Sequence, residues 1–178
     1  MRYKIIGDSC LDLTEDLKKD SHFEMIPFTL MVGDKQFIDD ESFNQKEFLK
    51  IVKECPECPK TACPSPEMFK EAYHCEEENV FVITISGPLS GSYNSAVLAK
   101  TLYEEEYGKK NIAVINSESA SSGQMSIALL IKELCEQGLP FEEVEKRALA
   151  YRDEMKTYFV LETLDTLRKN GRLTGLQA

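Results

Sequence analysis

The sequence has few of the residues and motifs on which common catalytic machineries depend. Only two histidines, His22 and His74, occur among its 178 residues. Ser90 lies in "GPLSG", which is not the G-x-S-x-G elbow of serine hydrolases. The chain also lacks the G-x-x-x-x-G-K-[ST] loop, and no G-x-G-x-x-G follows a strand. These absences exclude a P-loop NTPase, weaken a dinucleotide site and leave acyl transfer without apparent machinery.

Positive charge is also scarce. The chain has 21 Lys and Arg residues against 31 Asp and Glu residues, which gives a formal net charge of −10. Nucleic-acid backbones are bound by Lys and Arg that displace counterions, so we expect no nucleic-acid partner. An acidic chain does not exclude a local anion site, because backbone amides can supply positive potential.

Long apolar runs are missing as well. No stretch approaches the roughly 20 apolar residues that span a bilayer, and the N-terminus lacks the apolar region of a signal peptide. We therefore expect no transmembrane segment and a cytoplasmic protein, in which the six cysteines are mostly reduced. Cys55 and Cys58 have the spacing of a zinc half-site or a redox pair. No second C-x-x-C follows, so ordinary thiols and no metal site are the favoured interpretation.

Strands and helices are expected to alternate along the chain. This alternation predicts an α/β fold, in which a mostly parallel sheet carries helices on both faces. Ser65 is the predicted N-cap of one helix, with Pro66 at its first position. The pattern predicts strands at 2–9, 79–86 and 111–117, a hairpin at 23–39 turning at Gly33 and Asp34, a proline-rich loop at 55–66, and helices at 13–20, 44–55, 65–75, 92–107, 122–138 and 140–156.

Small hydroxyl residues are concentrated where three of the predicted strands end. The segments 7–9, 86–92 and 116–123 are rich in serine and glycine. Ligands of parallel sheets bind at the carboxyl ends of the strands. Small residues let a ligand approach the backbone, and the free amides of a helix N-terminus favour a carboxylate or a phosphate. The alternative is that these residues only cap helices.

Five stretches occur in the order and spacing of a known family. They are "GDSCLDL", "TACPSP", "SGPLSGSYNSA", "VINSESASSGQ" and "LETLDTLRKNGRLTG", and with them the sequence resembles the DegV family of bacterial fatty-acid-binding proteins. DegV proteins usually continue well past the last stretch. The resemblance therefore implies a DegV-like N-terminal α/β domain at 1–160 and the start of a truncated C-terminal lipid-binding region at 161–178, with the second domain missing.

The resemblance also implies a set of binding residues. In DegV proteins a Thr, the Ser and neighbouring amide of an L-S-G motif, and an Arg hold the fatty-acid carboxylate. The matching positions here are Thr61, Ser90, Gly91 and Arg168, with Arg172 as the second choice for the arginine. Asp8, Ser9 and Ser65 would line the mouth of this carboxylate-binding site. The sequence departs from the family pattern at Cys63, Ser92 and Asn94, which replace the commoner Gln, Thr and Gln.

The implied role is that of a binding protein without catalytic residues or a cofactor. Its ligand would be a long-chain fatty acid, and its partner a separate ATP-dependent fatty acid kinase that makes acyl phosphate for phospholipid synthesis. Two alternatives stay open at this point. One is a small phosphate-binding or phosphotransfer enzyme on a related sheet, and the other is a truncated interaction domain that binds no lipid.

Overall fold

The computed structural model describes residues 1–158 together with 160, 161, 164 and 168. These residues form two compact units. The first contains Met1–Ile26 and Cys63–Thr157, and the second contains Pro27–Ala62 and the described residues beyond Thr157. The strands are β1 (Tyr3–Asp8), β2 (Phe23–Ile26), β3 (Thr29–Val32), β4 (Lys35–Ile38), β5 (Lys60–Ala62), β6 (Asn79–Thr84) and β7 (Asn111–Asn116). The helices are α1 (Gln45–Glu54), α2 (Pro66–Tyr73), α3 (Ser92–Tyr107), α4 (Ser122–Glu136) and α5 (Phe141–Glu154).

The first unit is built on a four-stranded sheet in the order β2-β1-β6-β7, and every neighbouring pair is parallel. The strand β6 reads NVFVIT and is buried along its whole length, as expected of a strand covered on both faces. One core, with Phe81, Ile127 and Val144, joins the sheet to α4 and α5. The other, with Phe69 and Ala96, joins it to α2 and α3. The predicted fold class is thereby confirmed.

The second unit contains a three-stranded antiparallel sheet in the order β4-β3-β5. The hairpin between β3 and β4 turns at Gly33, whose φ of 58° suits a residue without a side chain. Asn44 caps α1 by accepting a hydrogen bond from the amide of Glu47 at 3.2 Å. Phe48 of this helix packs edge-on against Phe37 of β4, with ring centroids 5.4 Å apart.

Three local predictions were wrong. Residues 23–26 form β2 of the parallel sheet instead of one arm of a hairpin, and the chain leaves that sheet at Pro27, which has no amide to donate. Residues 13–20 contain only a 3-10 turn at Leu17–Lys19, because this polar stretch has too few apolar positions to dock a longer helix. The predicted loop at 55–66 contains the short strand β5, which pairs with β3.

Tyr73 provides a test of how α2 is attached to α3. Its hydroxyl donates to the backbone carbonyl of Ala96 at 3.0 Å, and burial raises the pKa of this phenol. Tyr73→Phe should lower the free energy of unfolding by about 1 kcal/mol, because it removes one buried hydrogen bond and keeps the ring. Chemical denaturation measures this difference. Tyr107→Phe, on the exposed end of α3, is the control, and an equal effect of the two variants would contradict the expectation.

Candidate functional site

The loops that follow β1, β6 and β7 meet at the carboxyl edge of the parallel sheet. The amide of Ser86 donates to the carbonyl of Ser119 at 2.8 Å, which joins the second loop to the third. The amide of Ser121 donates to the carbonyl of Cys10 at 3.0 Å, which joins the third loop to the first. The predicted convergence of the three hydroxyl-rich segments is therefore confirmed.

Asp8 lies at the centre of this junction and is fully buried. One carboxylate oxygen accepts from the hydroxyl of Ser92 at 2.6 Å and from the amide of Ile85 at 2.8 Å. The other accepts from the side-chain amide of Gln124 at 3.0 Å. Burial raises the pKa of Asp8, and these hydrogen bonds offset part of that rise. Asp8 was expected to line the mouth of the site, whereas the structure places it beneath the loops.

Ser90 and Gly91 form the turn that leads into α3. The Ser90 hydroxyl oxygen accepts from the amide of Ser92 at 3.3 Å, so its proton is left for another acceptor. Gly91 is exposed and is the N-cap residue of this sixteen-residue helix. Because the first amides of a helix have no acceptor within it, this turn presents several hydrogen-bond donors together with the positive end of a helix dipole. Such a group can hold a carboxylate or a phosphate.

Lack of room for a side chain, and not the backbone conformation, explains the glycine at position 91. Its φ of −71° is one that any residue adopts. A Cβ atom at this position would lie 3.3 Å from the sulfur of Cys63, which is a tight contact. Cys63 itself lies 4.0 Å from the hydroxyl of Ser95, on the first turn of α3. The small residues Cys63 and Ser95 are thus neighbours at the N-terminal end of α3.

Serines near the site differ in what their side chains do. Ser65 accepts from the amide of Met68 at 3.4 Å and caps α2, as predicted. Ser9 is half-buried, and its amide donates to the carbonyl of Ile26 at 2.9 Å. Roles for these two serines in ligand binding stay predictions.

The serines of the third loop hold the loop itself. The Ser117 hydroxyl donates to the carbonyl of Ser119 at 3.0 Å. The Ser121 hydroxyl donates to Asp12 at 3.2 Å, and Ser121 does not cap α4 through its side chain. The alternative of simple helix capping is therefore wrong for Ser121, and these two hydroxyls form hydrogen bonds within the third loop and between the third loop and the first.

Thr61 and Arg168 belong to the second unit. Thr61 is exposed on β5, where it is paired with Leu30 of β3. The amide of Arg168 donates to the carbonyl of Leu164 at 3.0 Å, and Arg168 is exposed. Arg172 lies outside the described residues. A contribution of these three residues to one anion site stays a prediction.

Gln124 was missed in the sequence, although a signal for it exists. It is fully buried on the face of α4 that also carries Ile127, Ala128 and Ile131. A polar residue on an otherwise apolar helix face usually has a specific partner, and here that partner is Asp8. Among the described residues, three side-chain oxygens are buried without a hydrogen-bond partner: the carbonyl oxygen of Gln124 and the hydroxyls of Thr84 and Tyr3.

Within the described part of the chain, no three His, Cys, Asp or Glu side chains are grouped so that they could hold a metal ion. No disulfide joins the cysteines, Cys55 and Cys58 included. None of the helices in the described ranges has the length and apolar character needed to cross a membrane.

Comparison with known sequences identifies relatives over the whole length of the chain. The model of the DegV family, described as a family of uncharacterised proteins, matches residues 2–178. A DegV domain-containing protein of Streptococcus gordonii is 40% identical over 178 residues, which cover 99% of this chain and 63% of that protein. The chain thus spans less than two thirds of the length of this curated relative.

Solved structures of similar fold belong to the same group. A DegV family protein of Ruminococcus gnavus, refined with vaccenic acid, is 53% identical with a TM-score of 0.95, covering 97% of this chain and 62% of that one. The fatty acid kinase (Fak) B3 protein of Streptococcus pneumoniae, loaded with linoleic acid, is 39% identical with a TM-score of 0.91, covering 99% of this chain and 63% of that one. From its five motifs, its parallel sheet and these matches, the chain belongs to the DegV family.

Proposed function

We propose that this chain binds a long-chain fatty acid and holds its carboxylate at the turn formed by Ser90 and Gly91. The observation that carries the proposal is the group of donors at this turn, in a fold shared with proteins that contain vaccenic and linoleic acid. The Ser90 hydroxyl keeps its proton for the ligand, because its oxygen already accepts from Ser92. The N-terminus of α3 adds favourable potential for a negative charge.

Thr61 and Arg168 complete the proposed head-group site, with Arg172 as the second choice for the cation. Their assignment rests on the motif positions that they share with the family. An arginine matters chemically, because the net charge of −10 makes the molecule as a whole repel an anion. A guanidinium can also bind both oxygens of a carboxylate.

Most of the affinity would come from the acyl tail. Burial of each methylene contributes about 0.8 kcal/mol, so a long chain outweighs the head group before the cost of association. We assign residues 161–178 to the start of the lipid-binding region and residues 1–160 to the α/β domain. The head-group site would then select a carboxylate, while the tail supplies the affinity.

We further propose that the protein is a binding subunit and not a catalyst. Its role would be to present the carboxylate to a separate ATP-dependent fatty acid kinase that supplies acyl phosphate to phospholipid synthesis. The similarity to the Fak B3 protein supports this role. The cytoplasm, where ATP is available, is the location that fits, and no cofactor is required.

Removal of the Ser90 hydroxyl tests the head-group site. Ser90→Ala should weaken binding of linoleate to the purified chain by about tenfold, because a hydrogen bond to a charged group is lost. Thr61→Ala should have an effect of similar size if Thr61 belongs to the same site. Titration calorimetry and native mass spectrometry measure the affinity and the bound lipid.

The control for this experiment is Thr101→Ala, which removes an exposed hydroxyl from α3 nearly three turns beyond Gly91. Its affinity should match that of the parent. Inorganic phosphate is titrated in parallel, because the same donors suit a phosphate. Binding of phosphate with no binding of linoleate would contradict the proposal in favour of the phosphate-binding alternative.

A further inference from the structure

We propose that Asp8 is a positioning residue for the Ser90–Gly91 turn, because it clamps the first turn of α3 to the end of the sheet. The inference rests on the proposed function for its ligand, and on the hydrogen bonds of Asp8 for its mechanism. Asp8 does not contact the ligand in this scheme, since its side chain is fully buried.

A continuous chain of hydrogen bonds leads from the sheet to the site. The side chain of Gln124 donates to one oxygen of Asp8 at 3.0 Å, and the hydroxyl of Ser92 donates to the other at 2.6 Å. The backbone amide of the same Ser92 then donates to the hydroxyl oxygen of Ser90 at 3.3 Å. Ser92 alone therefore connects the buried carboxylate of Asp8 to the Ser90 hydroxyl that faces the proposed ligand.

This connection does more than cap a helix. A capping side chain accepts from an amide of its own helix, whereas the Ser92 hydroxyl donates out of the helix to a residue of β1. The Asp8 oxygen that receives it also accepts from the amide of Ile85, in the loop after β6. The start of α3 is thus bonded to the end of β1, and the same Asp8 oxygen is bonded to the loop after β6. A fixed start keeps the Ser90 hydroxyl directed in the orientation that a carboxylate needs.

The test compares Ser92→Ala with Thr101→Ala in the full 178-residue chain. Ser92→Ala removes only the hydroxyl, so the fold should persist, and linoleate should bind about tenfold more weakly. Asp8→Asn retains an acceptor for Ser92, and rotation of the Gln124 amide lets its unpartnered oxygen accept from the new side-chain amide. This variant should therefore lose less affinity than Ser92→Ala.

A second measurement makes the outcome independent of lipid. Hydrogen exchange of the unliganded chain should be faster at the amides of residues 90–92 in Ser92→Ala, and unchanged in Thr101→Ala. Faster exchange without any binding of linoleate by the parent would overturn the proposed function and leave the positioning role intact. Unchanged exchange and unchanged affinity in Ser92→Ala would overturn the positioning role.

Discussion

Asp8→Ala should lower the free energy of unfolding by about 3 kcal/mol, because it leaves several buried donors without an acceptor. The donors are the hydroxyl of Ser92, the amide of Ile85 and the side-chain amide of Gln124. An unsatisfied buried donor costs about 1–3 kcal/mol. The variant also removes a buried carboxylate, and the cost of burying that charge offsets part of the loss. Burial raises the pKa of Asp8 for the same reason. Denaturant titration of the parent and the variant measures the difference.

Asp12 provides the matched control for this prediction. It lies in the loop that follows β1, is exposed, and accepts one hydrogen bond from Ser121 at 3.2 Å. Asp12→Ala should change the free energy of unfolding by less than about 0.5 kcal/mol, as is usual for surface positions. A loss below about 1 kcal/mol for Asp8→Ala would contradict the view that Asp8 holds the three loops together.

Gly123→Ala should also destabilise the protein strongly, by about 2–4 kcal/mol, because the added methyl overlaps Ser119. A Cβ atom at position 123 would lie 2.0 Å from the hydroxyl oxygen of Ser119 and 2.6 Å from its Cβ. Ser119 cannot easily move, since it is buried and its hydroxyl accepts from Thr157 at 2.7 Å. In an unobstructed helix the same change would raise the free energy of unfolding by up to about 1 kcal/mol. A decrease therefore indicates the overlap with Ser119.

Two further variants test the cause of that loss. Ser122→Ala, one position earlier in α4 and exposed, should leave the free energy of unfolding within about 0.5 kcal/mol of the parent. Ser119→Gly removes both of the atoms with which the new methyl would overlap. The double variant should therefore be more stable than the sum of the two single losses predicts. Strict additivity would show that Gly123 is needed for another reason.

The framework of the fold could be predicted because its signals are local. Continuous apolar runs indicate buried strands, and a capping residue such as Ser65 marks where a helix begins. The convergence of the three hydroxyl-rich loops also followed, since parallel strands bring their carboxyl ends to one edge. The sheet to which residues 23–26 belong could not be predicted in this way. A strand with alternating apolar and polar residues fits a hairpin as well as the edge of a parallel sheet, and only the tertiary pairing of the strand decides between the two.

The arrangement of side chains at this loop junction was harder to predict than the convergence of the loops. Asp8 stands beside Ser9 in the sequence, so both were expected at the surface of the mouth. The closure of three loops over the end of β1, a strand covered on both faces, instead buries Asp8. Its partners Ser92 and Gln124 come from distant helices. No spacing rule joins such residues, because their contact depends on how the helices pack.

The order of the strands has a consequence for how quickly the parallel sheet can form. α3 is the helix that connects β6 to β7, whereas the segment between β1 and β6 is much longer and includes residues 27–62 of the second unit. Closing a longer loop costs more chain entropy and slows folding. We expect β6, α3 and β7 to assemble early and β1 to pair late. The clamp at Asp8 would then be among the last contacts made, and the Ser90–Gly91 turn would become ordered only at the end of folding.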